Sequence, residues 1–179
     1  MATTKPRIYL DSCAFIDAVK HETGESLSPE RSNDAWYIRS ILRAHAAKDV
    51  EAFTSQITAG ECVAIRMGQD VVPQEVQDRF RNLISSGQYV SLVSPTPKTT
   101  ELVQQFRWSH NLVLKGADAF HFAAAIERGC QEFITTDDRL TAEKIRKAAP
   151  VLSGLGLSMI HASQSALLPE AYRKGLLDG

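Results

Sequence analysis

Residues 8–17 read IYLDSCAFID. Arg7, Ile8, Tyr9 and Leu10 make a short, largely apolar run that fits a strand covered on both faces. Asp11 ends the run at the strand's carboxyl end, with a helix to follow. Four further runs of the same kind occupy 51–54 (EAFT), 89–93 (YVSLV), 132–135 (EFIT) and 157–161 (LSMIH). Helical periodicity fills 34–48, 56–67, 73–85, 96–110, 117–128 and 138–148. Pro73 and Pro97 fall near helix starts, and Gly129 fits a C-cap. Strands alternating with helices predict a three-layer α/β/α fold around a mainly parallel, five-stranded sheet.

Four acids occupy equivalent places in that pattern. Asp11 and Asp137 each directly follow a strand. Glu61 falls in the first turns of the helix after the second strand, and Asp118 opens a helix that feeds the fourth. In a parallel sheet all four places lie on the carboxyl edge, where open α/β sheets bind ligands. Carboxylates repel one another, so a cluster of them points to a divalent metal ion with oxygen ligands. Each acid taken singly also fits a helix cap, since such side chains accept from free N–H groups and the helix dipole favours an anion. The set is harder to explain that way. Asp118 begins a helix that is apolar on most sides, and burying an unpaired charge is costly. No arginine or lysine is an obvious partner for all four, although Lys115 is near Asp118. Asp138 reads as a cap or a solvated neighbour of Asp137.

The chain has 179 residues, 44% of them hydrophobic, and a formal net charge of −1. This composition suits one domain with a sizeable core and excludes intrinsic disorder. The net charge does not announce a polyanionic partner, whose attraction would come from local basic patches and metal ions. Cys13, Cys62 and Cys130 are odd in number and lack CxxC spacing. They argue against a disulfide framework or a structural zinc site and fit reduced thiols in a cytoplasmic protein. No secretory signal opens the chain, and no apolar run approaches the ~20 residues of a membrane span. Residues 22–33 (ETGESLSPERSN) read as a polar loop, either a lid over the site or, more simply, a surface excursion. The domain proper is expected over 1–162. Residues 163–179 form a tail whose apolar face (Leu167, Leu168, Tyr172, Leu176, Leu177) would pack on the domain or on another subunit.

The strings around the acids resemble the motifs of PIN-domain nucleases. IYLDSCAFID resembles the first motif, a strand ending in Asp and followed by Ser or Thr. SQITAGECV resembles the second, with its acid on the following helix, and GADAFHFAAAIERG the third, with Asp leading a small-residue helix. ITTDDRL resembles the fourth, in which a threonine precedes an Asp by two residues. Order and spacing agree across 7–140, and the resemblance is greatest to VapC-type toxins of bacterial toxin–antitoxin pairs. It implies an endoribonuclease dependent on Mg²⁺ or Mn²⁺, with Asp11, Glu61, Asp118 and Asp137 as catalytic residues. Asp11, Asp118 and Asp137 would be the metal ligands, and Glu61 a further ligand or the base that positions water. Ser12 and Thr135 would steady carboxylates or waters, although Ser12 also fits a helix N-cap and Thr135 plain strand packing. The implied partners are RNA, a cognate antitoxin and a second copy in a homodimer, with no membrane.

Other residues are less specific. Lys115 and Arg66, and behind them Arg39 and Arg43, suit phosphate contacts, but solvated faces explain each of them as well. His121 lies one turn beyond Asp118 and could face the site, yet a lone histidine in an apolar helix reads first as a core residue. Trp108 could stack on a base and also reads first as core. Leu140 stands where the family often has an aromatic, and the loop and tail exceed a compact toxin. A stand-alone PIN nuclease in RNA processing therefore stays open, as does a catalytically silent PIN-like protein-binding domain, although a silent copy would not need all four acids. A haloacid-dehalogenase-like phosphatase would want a second Asp where Cys13 stands. A receiver-like domain would want an acidic pair after the first strand and an acceptor Asp where Ser94 and Pro95 stand.

Overall fold

Strand β1 (Arg7–Leu10) is the middle strand of the sheet in the computed structural model, which describes residues 5–66, 68, 70–136 and 143–174. After it come α1 (Ser12–Glu22), α2 (Pro29–Ala46), β2 (Glu51–Ser55), α3 (Gln56–Glu61) and α4 (Gln74–Phe80), whose last turn widens over Arg81–Ser85. Then follow β3 (Ser91–Val93), α5 (Pro97–Trp108), α6 (Gly116–Glu127), β4 (Glu132–Ile134), α7 (Glu143–Gly154) and β5 (Ser158–Ile160). The five strands run in the order β3-β2-β1-β4-β5, and every pairing is parallel. The expected α/β fold with its five-stranded sheet is the observed one. The chain leaves β1 towards β2 and β3 on one side and reaches β4 and β5 on the other. The crevice beyond the carboxyl ends of β1 and β4 is therefore the point where strand order reverses.

Strand alternation divides the core in two. Ile8, Leu10, Ala52 and Ile134 point into one cluster with Phe15, Ile38, Ile41 and Phe80. Tyr9 and Phe133 point into the other with Phe106, Phe122, Ala123 and Leu152. Tyr9 and Phe133 stack with ring centroids 5.2 Å apart. Both faces of the sheet are thus covered, which is why the strands read as nearly continuous apolar runs.

Several helix boundaries differ from the sequence reading. Helix α2 begins at Pro29, inside the stretch read as a loop, so the excursion shrinks to 23–28. Ser28 Oγ accepts from Arg31 N at 3.3 Å, Pro29 supplies a preset backbone angle, and Arg31 reaches back to Asp17 on α1. The helix expected over 56–67 stops at Glu61, and Cys62 turns away with φ −84° and ψ 58°. Gly60, a poor helix former, sits in that last turn. Helix α7 runs past 148, through Pro150, to Gly154.

Residues 163–174 pack on the domain. Glu132, buried at the start of β4, accepts from Ser165 Oγ (2.6 Å), Ala166 N (2.8 Å) and Leu167 N (3.2 Å). Leu168 enters the cluster around Ile8, and Tyr172 donates its hydroxyl to Asp49 at 2.6 Å. Leu176 and Leu177 lie outside the described residues. Cys13, Cys62 and Cys130 are free thiols. Among the described residues, no helix is long and apolar enough to cross a membrane.

Candidate metal centre

Asp11 leaves β1 with extended backbone (φ −77°, ψ 164°) and caps α1, its Oδ1 accepting from Ser12 N at 2.7 Å. The capping reading of Asp11 is therefore true, but it accounts for only one oxygen. Its Oδ2 faces β4, where Thr135 Oγ1 donates to it at 3.3 Å and Cys13 Sγ at 3.2 Å. Cys13 Sγ also lies 3.0 Å from Thr135 Oγ1, and Thr136 N donates to it at 3.3 Å. Burial and the Asp11 charge push the Cys13 thiol well above its ordinary pKa, so it stays a protonated donor. Thr135 thus does more than pack a strand: it ties Asp11 to the end of β4. Ser12 is the first residue of α1 rather than its cap, and its Oγ donates to Asp11 Oδ1 at 3.4 Å.

Glu61, the last residue of α3, meets His121 from α6, with Oε2 2.9 Å from Nε2. The same Nε2 is 3.7 Å from Asp11 Oδ1. His121 is only 2% exposed, and its Nδ1 lies 2.9 Å from the Tyr9 hydroxyl on β1. Burial raises the Tyr9 pKa far above the ordinary range, so the phenol stays protonated and can fix the imidazole from behind. One ligand atom each from Asp11, Glu61 and His121 lies within 4.8 Å of the others.

The charges explain the pKa shifts. Burial and then the Asp11 charge raise the Asp118 carboxyl above its ordinary value, Glu61 adding to the rise and Lys115 and His121 opposing it. Burial disfavours a charged His121, but the hydrogen bond to Glu61 and the charges of Asp11, Glu61 and Asp118 outweigh it and raise its pKa. The bond to His121 lowers the Glu61 pKa against its partial burial. Asp11, Glu61 and Asp118 therefore share one neighbourhood, as the sheet topology requires. His121, rather than an arginine or lysine, is the buried side chain that meets these carboxylates. Its signal was positional: it follows Asp118 by three residues on a helix that opens at the carboxyl edge.

Oxygen-rich donors with one imidazole suit a hard or borderline divalent cation such as Mg²⁺ or Mn²⁺. Two carboxylates and an imidazole already within reach of one point, with Asp118 beside them, fit such an ion. Asp137, with Asp138 and Leu140, lies outside the described residues.

The basic candidates separate. Lys115 precedes α6, and its backbone carbonyl accepts Ala119 N at 2.9 Å. Its ammonium is exposed and close enough to act on Asp118. Arg66 is engaged by Glu25, its Nε 3.2 Å from the carboxylate. Arg39 pairs with Glu22 at 3.2 Å, and Arg43 donates to Ser40 and lies over the Trp36 ring at 5.9 Å. Trp108 is not a core residue: it is 74% exposed at the end of α5.

A protein-family model described as PIN domain matches residues 8–147 of the chain. No curated protein matches it.

Proposed function

The chain belongs to the PIN-domain family, whose members are generally metal-dependent nucleases, and from that premise we propose that it is an endoribonuclease and the toxin of a VapBC-type toxin–antitoxin pair. The observation that carries the nuclease reading is the convergence of Asp11, Glu61 and His121 within 4.8 Å at the switch point of the sheet. In the proposed roles Asp11, Asp118 and Asp137 hold Mg²⁺ or Mn²⁺, and Glu61 is a further ligand or the base that takes a proton from the attacking water. A bound divalent cation supplies an acidified water and neutralises charge on the scissile phosphate. Thr135 and Ser12 hold the carboxylates in place, and His121 orients Glu61 through their hydrogen bond. Lys115, at the mouth of the site, suits a phosphate oxygen of the strand.

The toxin half of the reading rests on the resemblance of the motif strings. An antitoxin is its proposed partner, and the groove lined by Ala59, Cys62, Val63, Val72, Phe80 and Ile84 offers apolar surface for one. Cleavage of single-stranded RNA by the purified chain tests the nuclease reading. Cutting should require Mg²⁺ or Mn²⁺, stop with a chelator and vanish in Asp11→Ala, with the fold checked by circular dichroism. Chelator-resistant cleavage, or an active Asp11→Ala, would remove the acid-cluster mechanism. Growth arrest on expression, relieved by a protein encoded beside this one, tests the toxin role.

A further inference from the structure

Helix α5 runs antiparallel to α6, because Thr96 and Thr99 at its start both donate to Glu127 at the end of α6, Thr96 at 2.7 Å. The end of α5 therefore lies beside the start of α6, which carries Asp118. That places Trp108 on the carboxyl edge, on the same side as the candidate metal centre. Tryptophan is highly buried on average, so 74% exposure at this edge is informative.

The surroundings of Trp108 are ordered and cationic. Ser109 N and His110 N both donate to Gln105 O, at 2.9 and 3.2 Å, and Leu112 N donates to Phe106 O at 2.8 Å. Leu112 is buried and anchors the loop to the core. Arg107 Nη1 donates to Asn111 Oδ1 at 3.0 Å, and Asn111 adopts a positive φ of 51° that closes the turn. The indole is thus presented on a fixed turn. From Arg107 to Gly116 the chain reads RWSHNLVLKG, with two cations, one histidine and no acid. Arg107, His110 and Lys115 are exposed along it, and Val113 is 59% exposed. An aromatic face flanked by cations beside an acidic centre matches a polyanion with unpaired bases. A duplex would keep its bases stacked on one another and could not use the indole.

We propose that Trp108 is a stacking subsite for one unpaired base of the substrate strand, with the exposed cations Lys115 and Arg107 that flank it in the chain holding the neighbouring phosphates. The proposal rests on the ribonuclease reading and makes single-stranded RNA its substrate class. It gives α5 a role in binding and none in the chemical step.

The chain has two tryptophans, Trp36 and Trp108, so the Trp36→Phe variant reports Trp108 alone. Its fluorescence is titrated with a single-stranded oligoribonucleotide and with the duplex of the same sequence, in a chelator so that nothing is cut. The expected result is quenching by the single strand and none by the duplex. Trp108→Ala should weaken single-strand binding roughly tenfold and raise KM with little change in kcat, and Trp108→Phe should recover most of the loss. Unchanged affinity and KM in Trp108→Ala would overturn the subsite while leaving the nuclease reading intact. Quenching by a co-expressed protein partner but not by RNA would also overturn it and make this face a protein contact. A chain that neither binds nor cuts any RNA would sink the ribonuclease reading and the subsite together.

Discussion

Helix α1 and its N-cap carry two aspartates with opposite surroundings. Asp17 is fully buried between α1 and α2, and Arg31 meets both of its oxygens, at 2.9 and 2.6 Å. Asp11, six residues earlier, shares a neighbourhood with Glu61 and Asp118, and the side chain facing it is the buried His121, with Nε2 3.7 Å from Oδ1. Asp17 is matched one to one by a planar, bidentate cation, the usual condition for keeping a charge inside a protein. Around Asp11 the acids outnumber the cations, and burial plus mutual repulsion show in the raised pKa of Asp118. Glu132 sides with Asp17, since three donors from the tail satisfy it. A carboxylate matched to its donors holds the fold, whereas a surplus of carboxylates at a sheet's switch point calls for a ligand.

The contrast can be broken at either end. The largest effect is expected from Asp11→Asn, which keeps the helix cap but removes the charge: RNA cleavage should fall to background while thermal stability stays the same or rises. Arg31→Ala should do the reverse. It leaves Asp17 buried without its bidentate partner and should cost about 3 kcal/mol in a denaturant titration, with activity per folded molecule unchanged. If Arg31→Ala abolished cleavage in protein that is still folded, the division between the two aspartates would fail. Thr135→Val removes the hydroxyl that ties Asp11 to β4, and about a tenfold loss of activity is expected from such a supporting contact. The smallest effect belongs to Arg81→Ala, which breaks an exposed pair with Asp78 at 2.9 Å and should move stability by no more than about 0.5 kcal/mol.

The sheet was legible because its strands are covered on both faces, so each appears as an apolar run of nearly the right length. The carboxyl edge was legible for the same reason: Asp11 ends one such run, and chain order places Glu61 and Asp118 beside it. Helix ends were harder where local signals compete with composition. The start of α2 lies in a polar stretch, and only the Ser28–Pro29 pair marks it. The Trp108 indole was misread because hydrophobicity says nothing about which way a helix end faces. That direction follows from the pairing of α5 with α6, a tertiary contact made by two threonines and Glu127. His121 is the core residue that its apolar helix suggests, and burial does not keep it from the site. It is almost fully buried and still touches Glu61.

As proposed, Asp11, Glu61 and His121 mark a binding site for a divalent cation. Mn²⁺ binding to the full chain, followed by electron paramagnetic resonance, tests it without any assumption about substrate. The wild-type chain should take up Mn²⁺ and lose it to a chelator, and Asp11→Asn should bind far more weakly while Arg31→Ala binds normally. Equal Mn²⁺ uptake by the wild type and Asp11→Asn would contradict the account.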